Sequence, residues 1–313
     1  MNIQRLYISE GDVHELMDMP GAINALRNAF REQADEDAIN SPRARARYWG
    51  SRLNIMSAGL KSGRFGFKAY AGTKSPTVYH VMLYDAALGH LAVIEARRLS
   101  RLRTGAATGL ATDLLAKAGP IKLALIGAGE QARTQLAAVA AVRDLQSIRV
   151  YARNRDNLLA FCEAASKELA LDLQPARSAE DCIASADVVV TATDSQIPVI
   201  QDGWLPPNVL VNTIGANAAN RAELEISTFA RARCVVTDDI DQARMEAGEL
   251  INGVQSGLLR WENIARLADI IARPVTETAG LTIFKSLGAA IEDVAVASAV
   301  YDLAIAQGRG QRL

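Results

Sequence analysis

The segment GAGEQA, residues 127–132, has the residue types and spacing that bring a backbone close to a pyrophosphate. It follows the apolar run IKLALI and opens a helix-like segment, the strand–turn–helix setting in which GxGxxA carries weight. Gly127 permits the tight turn, Gly129 lets backbone N–H groups approach the phosphates, and Ala132 allows close helix–strand packing. The helix N-terminus adds about half a positive charge. Dinucleotide binding is the expected chemistry; a tight turn without a ligand is the plainer alternative.

The second strand should then choose the nicotinamide cofactor. An acid about 20 residues beyond the glycines ordinarily accepts from the ribose 2′-hydroxyl of NAD. Here the stretch reads RVYARNRD, with Arg153, Asn154 and Arg155 and no acid before Asp156. Guanidinium groups suit a 2′-phosphate, so NADP(H) is the preferred cofactor, with NAD(H) as the second option. Two solvated arginines on a loop are the competing reading.

These loops need a sheet to hold them. From Ile121 to about Val236, short apolar runs alternate with helical patterns: IKLALIG (121–127), SIRVY (147–151), ADVVVTAT (186–193), NVLVNTIG (208–215) and RCVVTDD (233–239). Such a rhythm implies a parallel sheet covered on both faces, the doubly wound α/β class. Earlier in the chain, GFKAYAG, TVYHVMLYD and HLAVIEARRL look like strands joined by turns, and RTGAATGLATDLLAKAG reads as a helix ending at Gly119-Pro120. Leu287, Ile291, Val294, Ala297, Tyr301 and Ile305 have helical spacing within Ser286–Gln307. The expected architecture is a Rossmann domain over 116–286, inserted into a discontinuous α+β domain made of 1–115 and 287–313.

The chain has 313 residues, 34 Lys+Arg against 35 Asp+Glu, 50% hydrophobic and 22% charged residues. That composition describes a globular protein and excludes a disordered one. The near-zero charge argues against nucleic acid or an anionic membrane as the main partner. Cys162, Cys182 and Cys234 are far apart and lack metal-ligand spacing, so no metal is expected. Their sparse number, and the lack of an apolar leader or long apolar span, point to the cytoplasm.

GFK (66–68), RTGAATGLAT (103–112), IGAGEQA (126–132), ADVVVTAT (186–193), NTIGAN (212–217) and TIFKSLGAAIEDVA (282–295) occur in a fixed order. With them, the chain from about Pro42 onward resembles the ornithine cyclodeaminase/mu-crystallin family. The resemblance implies a homodimer and hydride exchange between a nicotinamide and the α-carbon of an imino or amino acid. It implies that Arg43, Lys68 and Arg103 hold the substrate carboxylate, although SPRARARY offers Arg45 and Arg47 beside Arg43. Chemically this is sound, because guanidinium groups fork onto carboxylates and a desolvated lysine adds a point charge. Arg103 is expected to open its helix. Ser286 and Leu287 would flank the substrate, with capping of the last helix as the alternative for Ser286. Gln131, Thr193, Ile214 and Gly215 would meet the cofactor. His80 would supply a proton or simply be a packed strand residue. Asn217 stands where the cyclodeaminase branch has an aspartate, and Asn54 near where that branch carries another acid; an amide cannot take up a proton as they do. The loop AGTKSP (71–76) and the region of Tyr48 and Trp49 would line the substrate side-chain pocket. The resulting expectation is a ketimine or pyrroline-2-carboxylate reductase. Ornithine cyclodeaminase and a non-catalytic, ligand-binding mu-crystallin-like protein are the alternatives.

Overall fold

Strand alternation decides which side chains can meet. The computed structural model describes residues 4–73, 77–274 and 278–313, so 74–76 of the loop 71–76 lie outside the described residues. Contacts divide the chain into one unit of Met1–Ala107 with Gly288–Leu313 and another of Thr108–Leu287. The first carries β1 (Leu6–Ile8), β2 (Ile39–Asn40), β3 (Ala44–Tyr48), β4 (Ser51–Gly59), β5 (Arg64–Gly72), β6 (Tyr79–Asp85) and β7 (Gly89–Glu95). A C-terminal strand, Gln311–Arg312, pairs with β1, and the sheet continues β1-β7-β6-β5-β4-β2, with β3 also on β4. Within this sheet only the β1–β7 pair is parallel among the described strands.

On β4, Asn54, Met56 and Ala58 are buried while Leu53, Ile55 and Ser57 are exposed. The register aligns Met56 with Lys68 and Val81, and Asn54 with Tyr70 and Tyr79, so these side chains share one face. The C-terminal helix (Ala290–Gln307) packs against β4, β5 and β6. Val294, Val296, Ala297 and Val300 of that helix are fully buried, and each buried valine contributes about 1.5–3 kcal/mol. Helices α1 (Glu10–Leu16) and α2 (Met19–Ala34) complete the packing on the C-terminal helix.

Two helix starts differ from the sequence reading. Helix α3 covers Arg97–Leu115, because Glu10 caps it: its two oxygens accept from the backbone N–H groups of Arg97 (2.6 Å) and Arg98 (2.8 Å). Arg103 therefore sits in the second turn rather than at the opening, and the division between the units falls within α3. The last helix begins at Ala290 rather than Ser286, since Gly288 has φ +73°, a left-handed conformation that ends any helical path from the strand.

The second unit holds β8 (Ile121–Ile126), β9 (Leu145–Tyr151), β10 (Leu173–Pro175), β11 (Val188–Thr191), β12 (Val209–Thr213), β13 (Ala232–Thr237), β14 (Ile264–Arg266) and β15 (Leu281–Lys285). They form one wholly parallel sheet in the order β10-β9-β8-β11-β12-β15-β13-β14. Val189, Val211 and Ile283, all 0% exposed, lie in its core, as expected of strands covered on both faces. Helices α4 (Glu130–Ala140) and α5 (Arg155–Leu169) follow β8 and β9. Among the described residues no helix is long and apolar enough to cross a membrane.

Candidate active site

In the first unit, strand β5, helix α3, the C-terminal helix and the segment just before β3 bring five ionisable groups into one buried cluster. Lys68 is 2% exposed, and its Nζ donates to Asp293 Oδ1 at 2.8 Å. The same oxygen accepts from Arg103 Nε at 3.0 Å, while Arg103 Nη1 donates to Glu292 Oε2 at 2.8 Å. Glu292 and Asp293 lie in the first turn of the C-terminal helix, where negative charge is favoured by the helix dipole. Arg43, also buried, donates from Nη2 to the Gly288 carbonyl at 3.2 Å and from Nε to Met56 Sδ at 3.3 Å.

Three cations face two carboxylates, leaving one positive charge in excess, which a single bound carboxylate would neutralise. Burial, followed by repulsion from Arg103, pushes Lys68 down to about 7, against the pull of Asp293. Burial opposes the charge of Arg103, but Asp293 and Glu292 outweigh it and raise its pKa. The cluster therefore pairs a permanent guanidinium with an ammonium that can give up its proton near neutrality.

Several expectations change here. The register aligns Lys68 with Val81, so His80, one residue away, points to the opposite face of the sheet and cannot act beside Lys68. Of the three arginines in SPRARARY, Arg43 is the one in the cluster, while Arg45 and Arg47 stand on β3. Ser286 and Leu287 belong to the second unit, where Asp238 Oδ2 accepts from Ser286 Oγ at 3.2 Å and from Leu287 N at 2.7 Å. Their neighbour Gly288 lies in the first unit, beside Arg103. A Cβ on Gly288 would lie 2.2 Å from Arg103 Nη1. Glu292, Asp293 and Gly288 carry no motif of their own; their partners are too distant in sequence to suggest them.

In the second unit the glycine turn fits a pyrophosphate. Gly127 is left-handed at φ +124°, and a Cβ there would lie 2.4 Å from the Ala192 carbonyl. At Gly129, the N-cap residue of α4, a Cβ would meet nothing within 4 Å, so the approach to the helix N-terminus is open. Ala132 is fully buried under the helix. Gln131 Oε1 accepts from Thr134 Oγ1 at 3.3 Å.

At the ends of β11 and β12 the organising residue is Glu223, which the sequence did not single out. Its Oε2 accepts from Thr191 Oγ1 (2.8 Å) and Gly215 N (2.7 Å), and its Oε1 from Thr193 N (2.8 Å) and Thr193 Oγ1 (2.7 Å). This buried carboxylate ties together the strand ends expected to carry the cofactor. Thr193 thus spends its hydroxyl on Glu223, Ile214 is buried, and Asn217 is exposed in the loop after β12. Glu223→Gln turns an amide N–H₂ toward donors. The expected result is about a tenfold rise in the cofactor KM with a smaller change in kcat, measured by initial rates.

The residues after β9 divide their tasks. Asn154 Oδ1 caps α5 by accepting from Asn157 N at 2.8 Å. Arg155 Nη1 donates to the Ala176 carbonyl at 3.3 Å, and Arg153 Nη2 lies 3.7 Å from Asp194 Oδ1 on the exposed surface. No group of three or more His, Cys, Asp or Glu arranged to hold a metal occurs among the described residues.

Comparison with known proteins agrees with both halves of this picture. Residues 4–308 match the model of the ornithine cyclodeaminase/mu-crystallin family. The alanine dehydrogenase of Archaeoglobus fulgidus is 32% identical over 99% of this chain and 98% of its own length. The solved Delta(1)-pyrroline-2-carboxylate reductase of Thermococcus litoralis, in complex with NADH and L-proline, superposes with TM-score 0.92 at 30% identity, covering 98% of this chain and all of that one. An archaeal alanine dehydrogenase dimer with bound NAD gives TM-score 0.91 at 29% identity over 99% of both chains. Full-length likeness, a fitting dinucleotide turn and a buried carboxylate-sized excess of positive charge converge: the chain belongs to the ornithine cyclodeaminase/mu-crystallin family and is a nicotinamide-dependent oxidoreductase within it.

Proposed function

We propose that this enzyme reduces the C=N bond of an α-imino acid, of the cyclic ketimine or pyrroline-2-carboxylate kind, to the amino acid. The observation that carries the reading is the sharing of one Asp293 oxygen by Lys68 and Arg103 in a buried cluster of three basic and two acidic side chains. Arg43 and Arg103 hold the substrate carboxylate, and Lys68 protonates the imine nitrogen. The nicotinamide, when bound, supplies the hydride to the α-carbon; the overall step consumes one hydride and one proton. Gly127, Gly129 and the start of α4 hold the pyrophosphate, with Thr193, Ile214, Gly215 and Asn217 along the strand ends. Asn54, 1% exposed on the Lys68 face, is neutral and offers no negative charge to a cationic side chain, which weakens the case for ornithine. The test is cofactor oxidation with a panel of imino acids, and of oxo acids plus amines, with ornithine and NAD alongside. Oxidation with imines is expected; strong ammonia release from ornithine alone overturns the reading.

NADPH is the preferred cofactor in this reading, with Arg153 as its 2′-phosphate ligand and Arg155 beside it. Arg153→Ala should lower kcat/KM for NADPH about tenfold and leave that for NADH nearly unchanged. A wild-type enzyme that favours NADH removes this assignment.

A second copy of the chain covers the face opposite Lys68. There Leu53, Ile55 and Phe65 are 38%, 40% and 45% exposed, and Phe65 stacks on Tyr84 at 5.5 Å. Phe65→Asp should convert a dimer to a monomer in sedimentation measurements. The three cysteines are unpaired, consistent with the reducing cytoplasm.

A further inference from the structure

One aromatic ring stands beside Lys68 and outside its ion pairs. Lys68 and Tyr70 are two residues apart on β5, so alternation puts both side chains on one face of the sheet. Lys68 Nζ lies over the Tyr70 ring, 5.6 Å from its centre, within the range of a cation–π attraction. The register pairs Tyr70 with Tyr79 on β6, and their rings stack with centres 5.0 Å apart and planes at 21°. Such a cross-strand aromatic pair restrains the Tyr70 ring in place.

The ring occupies the side of Lys68 that the C-terminal helix leaves uncovered. That helix covers the face from Lys68 toward Arg64, whose Nη1 bonds to Ser298 Oγ (2.8 Å) and Asp302 Oδ2 (2.6 Å). Tyr70 lies in the opposite direction along β5, and both tyrosines are only half-buried.

The charges around Lys68 explain why a ring face matters there. Burial first, then Arg103 and Arg43, work against the ammonium, and Asp293 supports it. Both carboxylates of the cluster, Asp293 and Glu292, are bonded to Arg103 as well. Farther out, Arg45 aligns with Asn54 beside Tyr70, and Arg97 and Arg101 of α3 act on Tyr79. Burial also raises the Tyr79 phenol above its ordinary range, so it adds no negative charge near neutrality. Among these groups the Tyr70 ring draws on Lys68 through its negative face while carrying no formal charge.

We propose that Tyr70 is a positioning residue for the proton donor: its ring face keeps the Lys68 ammonium charged and fixed between Asp293 and the ring, while Tyr79 holds the ring. This inference rests on the imine-reductase reading above. In each turnover an N–H bond of Lys68 breaks as one forms on the imine nitrogen, and the hydride reaches the α-carbon. Lys68 then regains its proton from water, which a less basic lysine does less completely at a given pH.

The experiment follows kcat/KM for imine reduction across neutral pH for the wild type, Tyr70→Leu, Tyr70→Phe, and enzymes carrying phenylalanines with one to three ring fluorines at position 70. Fluorine drains the ring face at nearly constant size. Tyr70→Leu should move the descending limb about half a pH unit lower, which costs about threefold in kcat/KM above the limb and nothing below it. Tyr70→Phe should restore the limb, and each added fluorine should move it lower again. Melting temperatures identify any variant that fails to fold, and the fluorinated series, which preserves packing, then decides alone. A limb that stays in place across that series, or a loss of rate equal at every pH, overturns the inference and leaves the imine-reductase reading standing. Lack of cofactor oxidation by the wild type with every imine overturns that reading, and the inference with it.

Discussion

Lys68→Met is expected to lower kcat/KM for imine reduction by about 10³-fold, because it removes both a proton donor and a cation from the carboxylate grip. Methionine is close in length and apolar, and Asp293 keeps its bond to Arg103, so the fold should survive. The pH profile separates the proton role from simple packing. With Lys68 held at about 7 by burial and by Arg103, its protonated form is present below that pH and is lost above it. The wild-type kcat/KM for reduction should therefore fall as pH rises through about 7, and the residual rate of Lys68→Met should lack that limb. A variant retaining full activity, or the same descending limb, would assign the proton to another group.

Gly288→Ala should reduce kcat/KM by about 10²-fold, mainly through KM for the imine. Its added methyl carbon would sit 2.2 Å from Arg103 Nη1, and the φ of +73° strains any L side chain. Arg103 must then leave its bonds to Glu292 and Asp293, and the Gly288 carbonyl that receives Arg43 shifts with the backbone. Isothermal titration of a product amino acid reads this loss directly, and the cofactor affinity of the second unit serves as the internal control. An unchanged KM would mean that Arg103 does not hold the carboxylate.

The two units were legible to different degrees, for physical reasons. In the parallel sheet each strand is a continuous apolar run, and the GxGxxA turn is a local signal that needs no distant partner, so β8, β9, β11, β12 and β13 and the glycine turn are visible in the sequence. The short β10 and β14 bury too few residues to stand out. In the first unit, Lys68 and Arg103 came from family resemblance, and what holds them did not come at all. Asp293 is 225 positions from Lys68 and 190 from Arg103, and only the folded register and the last helix bring them together. Glu223 was hidden for the same reason, since its donors lie on two strand ends and it sits beyond both. His80 shows the converse: a residue with suitable chemistry, placed by period-two alternation on the wrong face of the sheet.

The most direct measurement follows the hydride. NADPH deuterated at the transferable C4 position is incubated with imines of the panel, and the amino acid products are analysed by mass spectrometry. The expected result is one deuterium at the α-carbon of the product amino acid, formed in step with cofactor oxidation and abolished in Lys68→Met. Cofactor that stays reduced with every imine, or product that carries no deuterium at the α-carbon, would contradict hydride transfer to a carboxylate-anchored imine.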